Sequence, residues 1–547
     1  MENVLQSQQF EKIDKFRKNG KLAPLKDEEH LSSLLNKLIK NGHLDEKLGK
    51  QLKPIGSQPA KLYGLPKVHK DGVPMRPILS MVQTAQYDIA KFLDFKLKPL
   101  ISEKYACRDS FEFVNFISNY ELSNKNEFMV SFDVTSLFTN VPLNETINLC
   151  CEIWKNNFLE HKNLNEVAFR ELLTFATSNI NFLFNNQWYK QVDGVAMGSP
   201  LAPTLASIFL SKIEENIDLF SGYKPLVYKR YVDDVFLIFE NKDHVKPFLN
   251  YMNSIHSNIK FTVEEEVQST LPFLDLLINR KSNCYETGIY RKKTDTGLYT
   301  TPGSFCETRY KSNMIKCLIY RSWSLSSTYL NAHESLNKLT SLLNKNGWSK
   351  SFIEKLTHQT LDKILNESNS NNKNLNNTIH QTISPNTNYN PLESRYILSI
   401  PYSEGFKHLK SSILKSLIPN TMNLKIISQS YKIRDMFSNK SPTPLGLCSD
   451  LVYQYTCNGC NATYIGETSR HLCKRIKEHS RLDNGSNIAE HNLKCKKKIE
   501  ENDFQILCNR FKNYWERVTC EALLIRSMDP KINIQASHST SLLNIFK

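Results

Sequence analysis

YKRYVDDVFLIF, residues 228–239, sets two adjacent carboxylates, Asp233 and Asp234, inside a run that is otherwise largely aromatic and apolar. Such a run forms a strand, and aspartate is among the poorer strand residues. Burying one costs several kcal/mol unless something pairs with it. One hundred residues upstream, NEFMVSFDVTSLFTNVP (126–142) repeats the anomaly: an apolar run broken by one acid, Asp133, then the helix-compatible LNETINLCCEIW. A carboxylate at the end of one strand and a pair at a strand–turn–strand tip can meet side by side. That arrangement suits two Mg²⁺ ions held against a triphosphate, because Mg²⁺ takes oxygen ligands from one or two carboxylates plus phosphates. One ion then activates an attacking hydroxyl while the other clamps the departing pyrophosphate. Neutralised by metal, the acids become compatible with the strand that carries them. An isolated Asp-Asp pair would be an exposed turn; the flanks decide otherwise.

The chain has 547 residues, too many for one hydrophobic core, so two or three domains are expected. Hydrophobic content of 40%, with 29 Phe and 23 Tyr, excludes a wholly disordered chain. A formal charge of +15 and a pI near 9.0 favour a polyanionic partner, nucleic acid ahead of an anionic membrane surface. The opening MENVLQSQQFEKIDKF is too polar for a signal peptide. No apolar run approaches the roughly 20 residues of a membrane span, so no membrane partner is expected. Thirteen scattered cysteines suit a reducing compartment, where cysteine pairs point to metal before disulfide.

Residues 1–60 are Lys-rich and read as helices, LSSLLNKLIK (31–40) having apolar residues at helical spacing. From KLYGLPKVHK (61–70) to 304, strand-like and helical runs alternate, and 305–365 read as helical and basic. Between Asn366 and Asn390, ten of 25 residues are Asn. Such a stretch buries too little surface to offset its ordering entropy. It opens a linker region over 366–446, which takes in a strand and loop in LESRYILSIPYSEGF (392–406) and the basic connector YKIRDMFSNKSPTPLG (431–446). A Cys/His-rich unit occupies 447–547. There are no internal repeats.

FDVTSLFTNVP, YVDD and the intervening GVAMGSPLAPTLASIFL (194–210) resemble the catalytic and substrate-positioning motifs of reverse transcriptases. KLYGLPKVHKDGVPMRPILS (61–80) is similar to their fingers segment, and IKFTVEEE (259–266) and LPFLDLLI (271–278) to later palm motifs. The wording LYGLPKVHK, SLFTNVP, LPFLDL and YRKKTDTGLY resembles the Penelope-like retroelement subgroup, itself related to telomerase catalytic subunits. The resemblance implies a multidomain α/β chain: a right-hand polymerase with fingers and palm over 61–304 and a helical thumb over 305–365. Asp133, Val134 and Asp233 would hold Mg²⁺, with Asp234 beside them. Lys67 and Arg76 would face the incoming dNTP, and Phe138 would exclude a 2′-hydroxyl. Met197 and Gly198 would position substrate, Met197 standing where many retroelement enzymes have Gln. Lys260 is either a donor to the departing pyrophosphate or an ordinary surface lysine. In the thumb, Arg309, Lys311, Lys316 and Arg321 would track the RNA–DNA hybrid, unless they form a generic basic face.

LVYQYTCNGCNATYIGETSRHLCKRIKEHSRL (451–482) places Tyr453 and Tyr464 on adjacent strand-like runs, then Arg475 and His479 at i and i+4 on one helical face. WERVTCEALLIRSMDPKIN (515–533) sets Glu521 in a helical run ending at Pro530. This resembles the GIY-YIG nuclease, a small α+β fold, with Leu451 where the signature has glycine. The resemblance implies that Glu521 holds one Mg²⁺ and Arg475 stabilises phosphate charge. Tyr453 would help take the proton of water with His479 assisting, and Tyr464 belongs to the signature. Cys457-x-x-Cys460 is a knuckle suited to tetrahedral Zn²⁺ and needs two more ligands. His491 and Cys495 are chosen, with Cys448, Cys508, Cys520 and His479 as alternatives; Penelope-like elements have a Cys/His insertion here. KCKKK (494–498) is either a nuclear signal or a DNA-facing run.

A nick creates the 3′-hydroxyl that a reverse transcriptase needs. The expected function is therefore target-primed reverse transcription in the nucleus, with element RNA as template, target DNA, the RNA–DNA hybrid and dNTPs as partners. The alternative is a telomerase-like or RNA-directed polymerase whose C-terminal zinc module only tethers DNA.

Overall fold

A computed structural model describes residues 5, 9–13, 23–68, 72–102, 104–122, 126–157, 164–373, 396–406, 408, 424–430, 432, 436, 441–482, 485–509, 511 and 514–533, with backbone alone at 367–373, 396–399 and 424–426. Five strands form the first sheet: β1 (Phe10–Lys12), β2 (Ala60–Pro66), β3 (Met75–Ser80), β5 (Ile180–Phe184) and β6 (Gln187–Gln191), in the order β1-β6-β5-β2-β3. The N-terminal segment is thus not purely helical. Phe10 packs edge-on against Phe182 with ring centroids 5.8 Å apart, which draws β1 onto the edge strand β6. The helix Ala23–Lys40 does follow its 3.6-residue pattern, burying Leu31, Leu35 and Leu38 in the main core.

The central sheet has the order β7-β8-β4-β9, built from β4 (Phe128–Val134), β7 (Val227–Tyr231), β8 (Asp234–Phe239) and β9 (Phe261–Glu265), all antiparallel. Both of its faces are covered. Val130, Phe132, Val134, Val235, Leu237 and Phe239 enter a core shared with helices Tyr87–Leu97, Leu143–Asn156, Glu166–Thr177, Ala202–Glu214 and Val245–Ile255. Met129, Phe236 and Ile238 face a second core with helix Ser110–Ser118 and the sheet of β10 (Thr270–Phe273), β11 (Leu276–Arg280) and β12 (Tyr285–Ile289). A sheet covered on both sides needs nearly continuous apolar strands. Acids in β4 and β8 are anomalies for that reason.

Helices Thr308–Ser324, Tyr329–Lys345 and Lys350–Lys373 close around Ile315, Ile319, Leu339, Leu343, Trp348, Ile353 and Leu356. The third helix runs beyond the expected boundary at 365, so the backbone from Asn366 to Lys373 is helical. Once its first turns are anchored, each added residue costs little, and composition alone does not reveal that. The expected linker also contains a parallel pair, β13 (Tyr396–Pro401) with β14 (Leu424–Gln429). The rest of the Asn-rich stretch, 374–395, and most of 431–440 lie outside the described residues.

The C-terminal unit is a three-stranded antiparallel sheet, β16 (Thr463–Thr468), β15 (Leu451–Thr456) and β17 (Phe504–Asn509) in that order, with helices Leu472–His479, Asn487–Cys495 and Tyr514–Met528. Its core comprises Leu451, Tyr453, Tyr455, Cys457, Leu472, Ile488, Phe504 and Ile532. Leu451 is fully buried at the head of β15, paired with Thr468 and Asn509, so an apolar side chain there has packing work.

This unit is joined to the N-terminal region by a buried polar contact. Ser449 Oγ donates to the Gly56 carbonyl at 2.6 Å, and His471 Nε2 donates to the Ser57 carbonyl at 2.6 Å. Glu28 accepts the Ser57 backbone N–H at 2.9 Å and Lys474 Nζ at 3.2 Å. Gly56 has φ +69°, and a Cβ there would lie 2.5 Å from the Ser469 carbonyl oxygen and 2.6 Å from Ser449 Cβ. Gly56→Ala therefore adds about 1–2 kcal/mol of left-handed strain to a steric clash. The variant should melt about 2–4 °C lower for each kcal/mol lost, with faster proteolysis within 430–447. An unchanged melt and cleavage pattern would contradict the contact.

Candidate active sites

In the central sheet Asp133 sits opposite Asp234 in the β4–β8 register, and the Val134 N–H donates to the Asp233 carbonyl at 3.1 Å. Tyr231 pairs with Asp234 across a two-residue turn, Val232–Asp233, which presents Asp233 at the tip. Val232 has φ +57°. A β-branched residue there is a genuine outlier, and such strain costs about 1–3 kcal/mol and must be held by its surroundings. Arg230 does the holding. Its Nε and one terminal nitrogen fork onto Glu214 at 2.5 and 3.1 Å, and the other reaches the Val232 carbonyl at 3.5 Å. Both members of the pair are buried. The sequence reading missed Arg230; the signal was a guanidinium at an otherwise apolar strand position.

Burial, then the charges of Asp233 and Asp133, push the Asp234 carboxyl up to about 6. Lys292 opposes these, but three crowded carboxylates still favour a bound cation, and an all-oxygen donor set fits Mg²⁺. A cleft of about 1820 Å³ gathers Asp133, Val134, Phe138, Asp233 and Asp234 with Lys67, Arg76, Met197 and Gly198. The segment carrying Met197 is threaded by backbone bonds: Leu79 N–H to the Met197 carbonyl at 2.8 Å, and Val195 N–H to the Phe138 carbonyl at 2.7 Å. Gly198, at φ +135°, lies so close to the Leu79 carbonyl that no Cβ fits. Lys292 and Lys293 line the same cleft and were not singled out from sequence.

Other expected roles look different in place. Lys260 Nζ donates to the carbonyls of Asn253 at 2.7 Å and His256 at 3.5 Å, which holds it at a helix end. Arg309 pairs with Glu307 at 2.7 Å, Lys311 donates to the Pro302 carbonyl at 2.5 Å, and Arg321 pairs with Asp275. Three of the four cations expected along the hybrid are therefore engaged within the chain.

In the C-terminal unit Tyr453, fully buried on β15, has its hydroxyl 2.6 Å from His479 Nε2 and receives Arg475 Nε–H at 3.2 Å. The Tyr464 ring centroid lies 6.4 Å from that of Tyr453 and 5.6 Å from that of His479. Gly466 gives the Tyr453 hydroxyl room, since a Cβ would come within 2.6 Å of it. Glu521, on helix Tyr514–Met528, is pushed up to about 7, first by burial and then by Glu467, with Arg475 and Arg517 opposing. Two further residues support the site: Arg517, which was not singled out from sequence, and Asn533, which falls in the P-x-x-N that follows Glu521. Buried Arg517 ties the Glu521 helix to Glu467 at 2.5 Å and Asp450 at 2.6 Å. The side chain of Asn533 exchanges two 2.8 Å hydrogen bonds with the Ile465 backbone, completing the edge of β16.

Cys457, Cys460, His491 and Cys495 converge, their ligand atoms all within 4.8 Å of one another. His491 Nε2 is 3.2 Å from Cys460 Sγ and 3.4 Å from Cys495 Sγ. Burial raises the Cys457 thiol, but backbone N–H groups of Gly459 and Cys460 outweigh it and bring the group down to about 6. A ready thiolate in a three-sulfur, one-nitrogen set fits Zn²⁺. The alternatives lie outside the cluster: Cys448 turns to the carbonyls of Thr443 and Pro444, His479 is bound to Tyr453, and Cys520 is hydrogen-bonded to Cys508.

Residues 68–267 match a family model described as reverse transcriptase (RNA-dependent DNA polymerase). This part of the chain is a reverse-transcriptase-like domain. Residues 298–358, within and just before the expected thumb, match a model described as an animal helix-turn-helix domain. Among solved structures, the chain is similar to telomerase from Candida albicans in complex with a TWJ fragment of telomeric RNA, at 15% identity and TM-score 0.41 over 60% of this chain and 59% of that one. Apo telomerase from Candida tropicalis is 16% identical, TM-score 0.36, over 61% and 63%. A Sicinivirus 3Dpol RNA-dependent RNA polymerase is 10% identical, TM-score 0.38, over 64% and 74%. The chain thus spans about six-tenths of the length of these telomerase chains. No curated protein matches it.

The cysteine cluster has a direct test. Purified chain should contain one Zn²⁺ per molecule by elemental analysis, and the Cys457→Ser/Cys460→Ser double variant none. Equal zinc in both would show that the metal is held elsewhere.

Proposed function

We propose that this chain nicks DNA with its C-terminal unit and extends the resulting 3′-hydroxyl by RNA-templated DNA synthesis in the reverse-transcriptase-like domain. The observation that carries the polymerase half is the register of Asp133 against Asp234, with Asp233 at the adjoining turn, in a cleft within the matched segment. Mg²⁺ held by Asp133, Val134 and Asp233 would supply Lewis-acid activation of the primer hydroxyl and charge relief for the leaving pyrophosphate. Lys67 and Arg76, which line the same cleft, would meet the triphosphate. Phe138, tied by its carbonyl to Val195, would sit under the sugar and exclude a 2′-hydroxyl.

The nuclease half is supported by the Arg475–Tyr453–His479 chain, with its tyrosine and histidine buried, beside Glu521. A unit that only tethers DNA has no use for a buried tyrosine–histidine pair next to a guanidinium and a protonatable carboxyl. In this reading Tyr453 accepts a proton from the attacking water, Arg475 stabilises charge on the phosphate, and Glu521 is the ligand for one Mg²⁺. The template is an RNA of the same element, the target is chromosomal DNA, and the site of action is the nucleus. No helix among the described residues is long and apolar enough to cross a membrane.

The two sites share no ligands, so their losses should separate. Asp233→Ala should abolish extension of a DNA primer on RNA while plasmid nicking stays near wild type. Glu521→Ala, folded by thermal melt, should lose nicking and keep primer extension. A folded Glu521→Ala chain that still nicks would make the C-terminal unit a tether. Phe138→Ala should raise ribonucleotide incorporation relative to dNTPs by about tenfold or more, equivalent to about 1.4 kcal/mol of discrimination. An unchanged ratio in an active variant would place sugar selection elsewhere.

A further inference from the structure

The helix Asn487–Cys495 carries His491 and Cys495 of the cysteine cluster, and its N-cap is Ser486. Buried Ser486 accepts the Ala489 N–H at 3.3 Å and lies 2.8 Å from His479 Nδ1 through the same oxygen. His479 is itself buried, with its other nitrogen on Tyr453. The direction of each bond follows from the charged end. Arg475 can only donate, so the Tyr453 oxygen accepts there and its own proton points to His479 Nε2. Burial first, and Arg475 second, hold the imidazole neutral by lowering it to about 3. A neutral ring that accepts at Nε2 carries its proton on Nδ1, and Nδ1–H then donates to Ser486 Oγ.

We propose that Ser486 is a positioning residue of the nuclease: its Oγ accepts the Nδ1–H of the tautomer that Arg475 and Tyr453 set, and so fixes the ring with Nε2 turned to the Tyr453 proton. The inference rests on the nuclease reading above. It also gives the Cys/His-bearing helix a task, because the turn that starts that helix is the third member of the acid–base chain. In the cleavage step the attacking water gives a proton to the Tyr453 oxygen as the Tyr453 proton passes to Nε2. The hydroxide forms its bond to phosphorus, the bond to the 3′-oxygen breaks, and that oxygen takes a proton from solvent. Nδ1–H stays on Ser486 throughout and stabilises the imidazolium, as an orienting group does for any histidine base. An anionic phosphodiester beside Arg475 offsets the guanidinium, the second of the two effects, after burial, that keep the resting ring neutral.

Full-length protein with ¹⁵N-labelled histidine tests the assignment without relying on cleavage. The His479 signals, identified by their absence in His479→Gln, should report a protonated Nδ1 and an unprotonated, hydrogen-bonded Nε2. Ser486→Ala should shift the Nδ1–H signal to that of a proton without a hydrogen-bond acceptor and lower nicking about 10–100-fold, the usual effect of removing an orienting partner, with zinc content unchanged. Ser486→Thr keeps both hydroxyl and N-cap, so it should restore the signals and the rate, which a loosened helix would not. A wild-type Nε2–H form, or an unchanged Nδ1–H signal and unchanged nicking in Ser486→Ala, overturns the proposal. If wild-type protein nicks no DNA at all, the nuclease reading fails and the positioning role with it. Nicking by wild type that Ser486→Ala matches overturns only the role of Ser486.

Discussion

Asp133 and Asp234 face each other across the β4–β8 ladder, where like charges directly opposite are destabilising. Much of the reverse-transcriptase-like domain can be understood as support for that pairing. Helices bury one face of the central sheet and a second sheet covers the other, which fixes the register against slippage. The buried Arg230–Glu214 pair anchors the left-handed Val232 turn to the helix that follows the Met197–Gly198 segment. With the strands immobile, the carboxylates cannot relax apart. A bound cation would relieve their repulsion.

The C-terminal unit applies the same physics on a smaller scale. Glu521 sits half-buried near Glu467, and Arg517 draws Glu467 into an ion pair, leaving Glu521 as the carboxyl with unmet charge demand. Its neighbour on the facing helix, Arg475, is anchored by Tyr453 and by Glu478 at 3.1 Å. That helix starts at the residue after His471, the same His471 that is buried against the Ser57 carbonyl. Ser57 in turn lies just before β2, which leads to Lys67. A short path of chain thus joins the helix carrying Arg475 to the strand leading to Lys67.

What the sequence discloses depends on how local the signal is. An acid in a strand buried on both faces is a conflict that a few residues display, so Asp133, Asp233 and Asp234 stand out unaided. Arg475 and His479 share a helical face by spacing alone. The roles proposed for Lys67, Arg76, Phe138 and the nuclease residues rest on resemblance, because nothing in their own neighbourhoods sets them apart. Long-range partners were not legible. Glu214 serves Arg230 from another element, and His471 meets Ser57 across 414 residues. The Asn-rich composition concealed the helix reaching Lys373, since anchoring by its first turns overrode weak propensity there, whereas β13 was legible as a strand and only its parallel partner β14 was not.

The most direct measurement puts both chemistries in one tube: purified full-length chain, closed-circular plasmid, a structured RNA of the element, Mg²⁺ and dNTPs, with the products sequenced across their junctions. Target-primed synthesis predicts cDNA complementary to the RNA and covalently continuous with the 3′ end of a nicked plasmid strand. Plasmid that stays closed while cDNA grows only from added primers, or nicks that never join to cDNA, would contradict it.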